Sequence, residues 1–201
     1  MGANPKGVFQ EGDRRGFMRA GLDRWVQRLV EETTERVTPA SRTPRQRPPG
    51  ALPELGFLAA CTRCGECARF CPPEAIRLAP GEDGLAAGTP YIDPRLQPCT
   101  ACPDLPCVEA CPTGALSLAD AAAGWRDIRL GEVEFHPERC VTFQGVSCGV
   151  CATACPVGPS ALALDDEGRP VLRREGCVGC GVCVRACITA PSSFDLTYGD
   201  Q

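Results

Sequence analysis

Sixteen cysteines fall into four runs that leave none over. Cys61, Cys64, Cys67 and Cys71 follow the spacing C-x2-C-x2-C-x3-C, with Pro72 behind them. Cys177, Cys180, Cys183 and Cys187 repeat that spacing, with Ile188 where the proline would stand. Two variants lie between: Cys99, Cys102, Cys107 and Cys111 with an x4 gap, and Cys140, Cys148, Cys151 and Cys155 with an x7 gap. Three thiolates at two-residue gaps let one loop wrap three corners of a cubane iron–sulfur cluster. The fourth, one helical turn on, points away and ligates the other cluster of a pair. Iron in such a cubane takes tetrahedral, soft thiolate ligation. At four thiolates per cluster the sixteen cysteines imply four [4Fe-4S] clusters.

Other uses of cysteine fit less well. A disulfide scaffold belongs to short secreted chains, and no apolar secretory stretch is present. Cysteines two apart in a tight loop converge on one centre more easily than they pair as several disulfides. Zinc sites use two separated Cys pairs, not three Cys within seven residues followed by a fourth and a proline. Gly65, Gly149, Gly179 and Gly181 lie between the cysteines. They are candidate cofactor-binding positions, where a backbone without Cβ can come close to the cluster and offer its amides.

No catalytic residue is predicted. Four complete Cys sets leave no iron with an open position. The single histidine, His136, reads as a strand-end residue, and Asp165-Asp166-Glu167-Gly168 as a hairpin turn. The Gly-x-x-Gly patterns lie inside cysteine loops, and no flavin or nicotinamide fingerprint appears. Electrons must then enter and leave through other proteins, which makes the chain a carrier or subunit and not an enzyme by itself.

The elements that position the loops are short. Gly and Pro number 22 and 20, and aromatics only 5%, so turns are abundant and a purely organic core would be thin; the clusters should serve as core. From residue 54 a unit of about forty residues repeats. Short apolar pieces follow three runs, at Ala75–Leu78, Ala115–Leu118 and Ala161–Leu164. Others precede three runs, at Tyr91-Ile92, Val133–Phe135 and Val171-Leu172. These read as paired short strands. The tail from Ser192 lacks that pattern and either wraps back on the body or stays loose. The expected class is α+β, with tandem bacterial-ferredoxin-like modules, short hairpins and few short helices.

Ahead of this body stand two other segments. Residues 1–37 hold Arg14-Arg15, a pair like the twin-arginine export signal, but no uncharged apolar stretch follows. Met18, Leu22, Trp25, Val26, Leu29 and Val30 instead fit one face of an amphipathic helix, suited to packing on its own body or to docking a partner. Residues 38–53 carry five prolines and three arginines and read as an extended linker. Residues 1–50 have net charge +4 (10 Lys+Arg, 6 Asp+Glu) and residues 51–201 net −8 (11 and 19). Thiolate-bound clusters add more negative charge. An acidic body disfavours nucleic acid and suits a basic face on a redox partner. No transmembrane segment is expected.

Three stretches, Arg47-Pro48-Pro49-Gly50-Ala51, Gly84 to Tyr91 and Phe143 to Cys151, together with the two irregular cysteine runs, resemble the ferredoxin-type NapG/MauM group of four-cluster proteins over residues 47–190. The resemblance implies an electron carrier between a membrane quinol-oxidising partner and a terminal oxidoreductase, exported to the periplasm by the twin-arginine route. The missing apolar stretch points instead to the cytoplasm or the cytoplasmic membrane face. The resemblance further implies nested pairing of the runs. Cys61, Cys64 and Cys67 would take Cys187, and Cys177, Cys180 and Cys183 would take Cys71. Cys99, Cys102 and Cys107 would take Cys155, and Cys140, Cys148 and Cys151 would take Cys111. The body 54–201 would then consist of an outer module, 54–80 with 170–201, around an inner one, 88–168. The gaps alone fit sequential pairing equally well. A function of another class, maturation of or scaffolding for a partner metalloenzyme through the N-terminal helix, uses the same features.

Overall fold

The computed structural model describes residues 45–118, 126 and 128–198. The amphipathic helix, the arginine pair and the first part of the linker lie outside the described residues. Five short helices appear: α1 (Glu54–Ala60), α2 (Glu66–Arg69), α3 (Pro106–Glu109), α4 (Val150–Ala154) and α5 (Val182–Ala186). Six strands of three or four residues pair as three separate two-stranded antiparallel ribbons. Strand β1 (Ile76–Leu78) pairs with β2 (Pro90–Ile92), and β4 (Leu162–Leu164) with β5 (Pro170–Leu172). Strand β3 (Glu132–Phe135) pairs with β6 (Phe194–Thr197), Phe135 opposite Phe194. Two-stranded ribbons are marginal alone, so each depends on what it packs against. Among the described residues no helix is long and apolar enough to cross a membrane.

The ribbons fall where the apolar pieces predict, with two refinements. The tail from Ser192 wraps back, because Phe194 is buried and stacks 4.9 Å from Phe135. The piece Ala115–Leu118 forms no strand; only an isolated bridge joins Leu116 to Ala51.

That bridge corrects the linker reading. Residues 45–53 do not separate the body from what precedes it but pack on it. Gln46 bridges to Ile92, and Pro48 and Pro49 are fully buried. The Arg47 guanidinium, only 5% exposed, grips both Glu54 carboxylate oxygens through Nε (2.9 Å) and Nη2 (2.5 Å). Its Nη1 donates to Thr89 Oγ1 and Pro90 O, each at 2.9 Å, and its plane lies 4.6 Å over the Phe57 ring. All five donors of such a fork need partners once buried, which explains an arginine within a proline-rich stretch.

Two apolar cores result. One gathers Phe57, Ile76, Ile92, Leu105 and Leu116 around the first two cysteine runs, and Ile128, Leu130 and Val178 join it. The other gathers Val133, Leu162 and Phe194 around the last two. Sheet pairing and cores therefore divide the body sequentially, residues 45–118 and then 130–198, and not into the nested outer and inner modules. The segment 76–78 pairs with 90–92, whereas 194–197 pairs with 132–135.

The seam between the halves is tight. Gly179 has φ +68 and no room for a Cβ, which would land on the Gly131 backbone. Gly181, φ +82, faces Pro94 with its would-be Cβ 2.5 Å from that ring. Gln46, 1% exposed, donates from Nε2 to Gly179 O at 2.8 Å and to Leu130 O at 3.3 Å. It thereby ties the start of the first half to the second. Replacing Gln46 with Ala leaves two buried carbonyls without that donor and should cost about 1–3 kcal/mol in denaturant unfolding of the cluster-loaded protein. Exposed Gln144→Ala should stay within about 0.5 kcal/mol. Arg47→Ala strands a partly exposed Glu54 and should cost about 3 kcal/mol, the low end for a broken buried pair; an unchanged unfolding midpoint would remove the keystone role given to this arginine.

Candidate metal centres

The four cysteine loops are built alike. In each, the third cysteine (Cys67, Cys107, Cys151, Cys183) is the second residue of a short helix and is buried. The residue before three of the helices is left-handed: Gly65 at φ +77, Leu105 at +42 and Gly181 at +82. A helix start so folded turns the third side chain inward, back toward the preceding loop. Each helix ends at or just before the fourth cysteine. Cys155 and Cys187 are themselves the C-caps, in extended backbone. The fourth thiol therefore leaves the loop that carries the other three.

Within the first gap of three runs the second residue is left-handed, Arg63 at φ +58, Ala101 at +48 and Gly179 at +68. The turn so made directs backbone amides at the thiols; Ala101's own N–H donates to Cys99 Sγ at 3.4 Å. Run three has no such gap. Its insert forms a 3-10 turn, Val141–Gln144, closed by Gly145 at φ +83. Cys140 nonetheless lies buried beside Cys148 and Cys151.

Two cavities show which thiols meet. One is lined by Cys140, Cys148 and Cys151 together with Cys187. The other is lined by Cys177, Cys180 and Cys183 together with Cys155. In the first half the proximities appear in the thiol acidities. Burial foremost pushes Cys67 up to about 11, and the neighbouring charges of Cys61, Cys64 and Cys111 add to it. Burial likewise pushes Cys107 up to about 12, with Cys99 and Cys71 among its neighbours. The nested sets thus do not form. Cys187 joins run three instead of run one, and Cys155 joins run four instead of run two. Cys71 and Cys111 are exchanged between runs one and two. The sets also succeed one another in space. Cys67 lies near Cys107, and Cys180 is the strongest neighbouring charge on Cys99, across the seam, after burial and an opposing Ala101 amide bond.

The fourth cysteines sit among donors. Backbone N–H groups of Ala75, Leu116 and Ser193 donate to Cys71, Cys111 and Cys187 at 3.3, 3.4 and 3.3 Å. Thr189 Oγ1 lies 3.1 Å from Cys187 Sγ, and Thr142 Oγ1 the same distance from Cys140 Sγ. Burial would raise the Cys187 thiol, but these hydrogen bonds from Thr189 and Ser193 outweigh it and bring it down to about 7. The threonines escaped the sequence reading although a signal was there, since Cys111, Cys140 and Cys187 each have Thr two residues on. Of the four glycines, Gly179 and Gly181 answer to the seam. Gly65 answers to its left-handed backbone, and Gly149 to Leu164, 3.0 Å from its would-be Cβ.

The all-thiol donor sets fit cubanes. Every cysteine is free of disulfides. Among the described residues no group of three or more His, Cys, Asp or Glu is arranged to hold one metal ion; the thiols instead ring apolar cavities. His136 stands apart from them. Its Nε2 is 2.9 Å from Asp195 and its Nδ1 3.3 Å from Glu138, and Arg139 Nη1 bonds the same Asp195 at 3.0 Å. That network pins β6 to the turn after β3, as a strand-end role requires.

Comparison with known proteins agrees. A 4Fe-4S dicluster domain family matches residues 60–115 and 98–159, and a second 4Fe-4S dicluster family matches 132–188. The chain is 40% identical over 140 residues to the methylamine utilization ferredoxin-type protein MauM of Paracoccus denitrificans, covering 66% of this chain and 62% of that one. It is 44% identical over 124 residues to the ferredoxin-type protein NapG of Escherichia coli K12, covering 61% and 53%. A polyferredoxin, MvhB of Methanothermobacter marburgensis, is 34% identical over 106 residues, covering 53% and 21%. The chain thus spans between half and two thirds of the MauM and NapG sequences. The chain is thus built from 4Fe-4S dicluster domains across residues 60–188, and over about two thirds of its length it is similar to the ferredoxin-type MauM and NapG proteins.

Proposed function

We propose that the chain is an electron relay holding four [4Fe-4S] clusters in two sequential modules. Set A is Cys61, Cys64, Cys67 and Cys111, and set B is Cys99, Cys102, Cys107 and Cys71. Set C is Cys177, Cys180, Cys183 and Cys155, and set D is Cys140, Cys148, Cys151 and Cys187. A bound cubane takes up and gives back one electron at a time, with a potential tuned by hydrogen bonds to its sulfurs and by exposure. The single observation that carries the reading is the exchange of fourth cysteines between neighbouring sets, which links A to B and C to D, while Cys99 beside Cys180 links B to C.

The protein's own groups do the rest. Buried third cysteines and the apolar walls keep water from the inner face of each set. Amides and threonine hydroxyls stabilise added negative charge there. The Gln46 clamp and the close-packed glycines hold B against C. No acid, base or nucleophile is asked for, so the partners supply and consume the electrons. They are a membrane quinol-side dehydrogenase and a terminal oxidoreductase, or the reverse, as the resemblance implies.

Reconstituted protein should carry about sixteen irons. The pairing is read by a double change. Cys148→Ala with Cys187→Ala removes two ligands of one set and should cost about four irons per chain. Loss of about eight would mean that these two cysteines serve different clusters. Thr189→Val removes a hydroxyl from the Cys187 sulfur. It should lower the midpoint potential of one cluster and leave the other three unmoved in a redox titration followed by electron paramagnetic resonance.

A further inference from the structure

The x7 insert of run three is not needed to hold a cluster, since the other runs manage with two residues in that place. It does build surface. Its 3-10 turn lifts Phe143 and Val146 out of the body, 46% and 54% exposed. Val150 and Ile188, 44% and 64% exposed, line the same cavity as Cys140, Cys148, Cys151 and Cys187. Arg169 lies 5.4 Å over the Phe143 ring, so the β4–β5 turn flanks the insert. An apolar patch therefore covers the set-D end of the relay.

Its rim is acidic. Asp165, Asp166 and Glu167 share the β4–β5 turn with Arg169, whose guanidinium lies over Phe143, and Glu138 and Asp195 contact Arg139. Both arginines are engaged, Arg139 with Asp195 and Arg169 with the aromatic ring. Asp165 is spent on its own turn, accepting from the Glu167 and Arg169 amides, which leaves Asp166 and Glu167 pointing outward and exposed. The set-A end differs: its exposed Phe70 and Leu78 stand among Arg63, Arg69 and Arg77, balanced by Glu66, Glu74 and Glu82.

We infer that the set-D end is a docking face for a basic redox protein, one whose own cofactor edge sits in an apolar patch ringed by lysine or arginine. The insert Val141–Ser147 supplies the apolar contact, and the β4–β5 turn supplies the steering charge. A charged rim raises encounter rate and fixes orientation, whereas the apolar centre sets dissociation. This rests on the four-cluster relay reading, because only then is set D a terminus. It goes further in assigning a partner chemistry to one end.

The test uses the full, cluster-loaded chain, with its iron content checked first so that failure of the relay reading is seen separately. The probe is a small lysine-rimmed c-type cytochrome. Binding to the oxidised proteins is measured by isothermal titration at low and high ionic strength, and reduction of the cytochrome by the pre-reduced chain is followed by stopped flow. Asp166→Lys with Glu167→Lys should weaken low-salt binding and slow reduction by about tenfold, and flatten the salt dependence. Phe143→Ser with Val146→Ser, neither of which lines the set-D cavity, should weaken binding at both salt levels, with cluster potentials unchanged. Leu85→Ser with Glu82→Lys, on the first module, should change neither measurement by more than about twofold. Wild-type behaviour of the set-D variants, an equal loss from the first-module variant, or no salt-dependent binding of the cytochrome at all would each overturn the assignment.

Discussion

A thiol that leaves its own loop to complete its neighbour's set is the constraint on which this structure hangs. Each short helix begins by burying the third cysteine and ends by delivering the fourth elsewhere, so no loop can close a site alone. Two loops must fold together or neither site is complete. That requirement makes the dicluster module, not the single run, the unit of folding. It also lets ribbons of three or four residues persist in a chain poor in aromatics, because ligand bonds stand in for packing that the side chains do not supply.

What joins the two modules is of a different kind. Across the seam, close backbone approach joins the packing of Ile128, Leu130 and Val178 into the first core. Gly179 admits Gly131, Gly181 admits Pro94, and the Gln46 amide bridges two carbonyls from the far side. A closely packed contact of this sort keeps Cys99 beside Cys180, the step on which the proposed relay depends. Arg47, next to Gln46 in the chain and itself buried, ties that segment to α1 and β2 so that Gln46 is held in place.

Much of the site was legible beforehand, because ligand chemistry dictates residue type and spacing so strictly. The structure brings cysteines of each run together as their spacing predicts, Cys140 beside Cys148 and Cys151 despite its wide gap. The three ribbons grew from apolar pieces visible in the chain. Pairing of the runs was not legible, and the reason is energetic. Closing forty residues or twice that number differs by only about 0.6 kcal/mol, so spacing cannot choose between nested and sequential exchange. Phe135 against Phe194 and the glycine seam make that choice, and both depend on contacts far apart in sequence. Residues 45–53 misled for a related reason. Five prolines between 39 and 53 look like a spacer until Arg47 is seen to bond Glu54, Thr89 and Pro90 inside the fold.

The relay claim is tested most directly by counting electrons and asking whether they feel one another. Coulometric reduction of the fully loaded chain, with electron paramagnetic resonance spectra taken along the titration, should show about four electrons per chain, one for each cubane. Signals should broaden by magnetic interaction as neighbouring sets fill. An uptake of two electrons, or four that arrive with narrow, non-interacting signals, would contradict a continuous path from set A to set D.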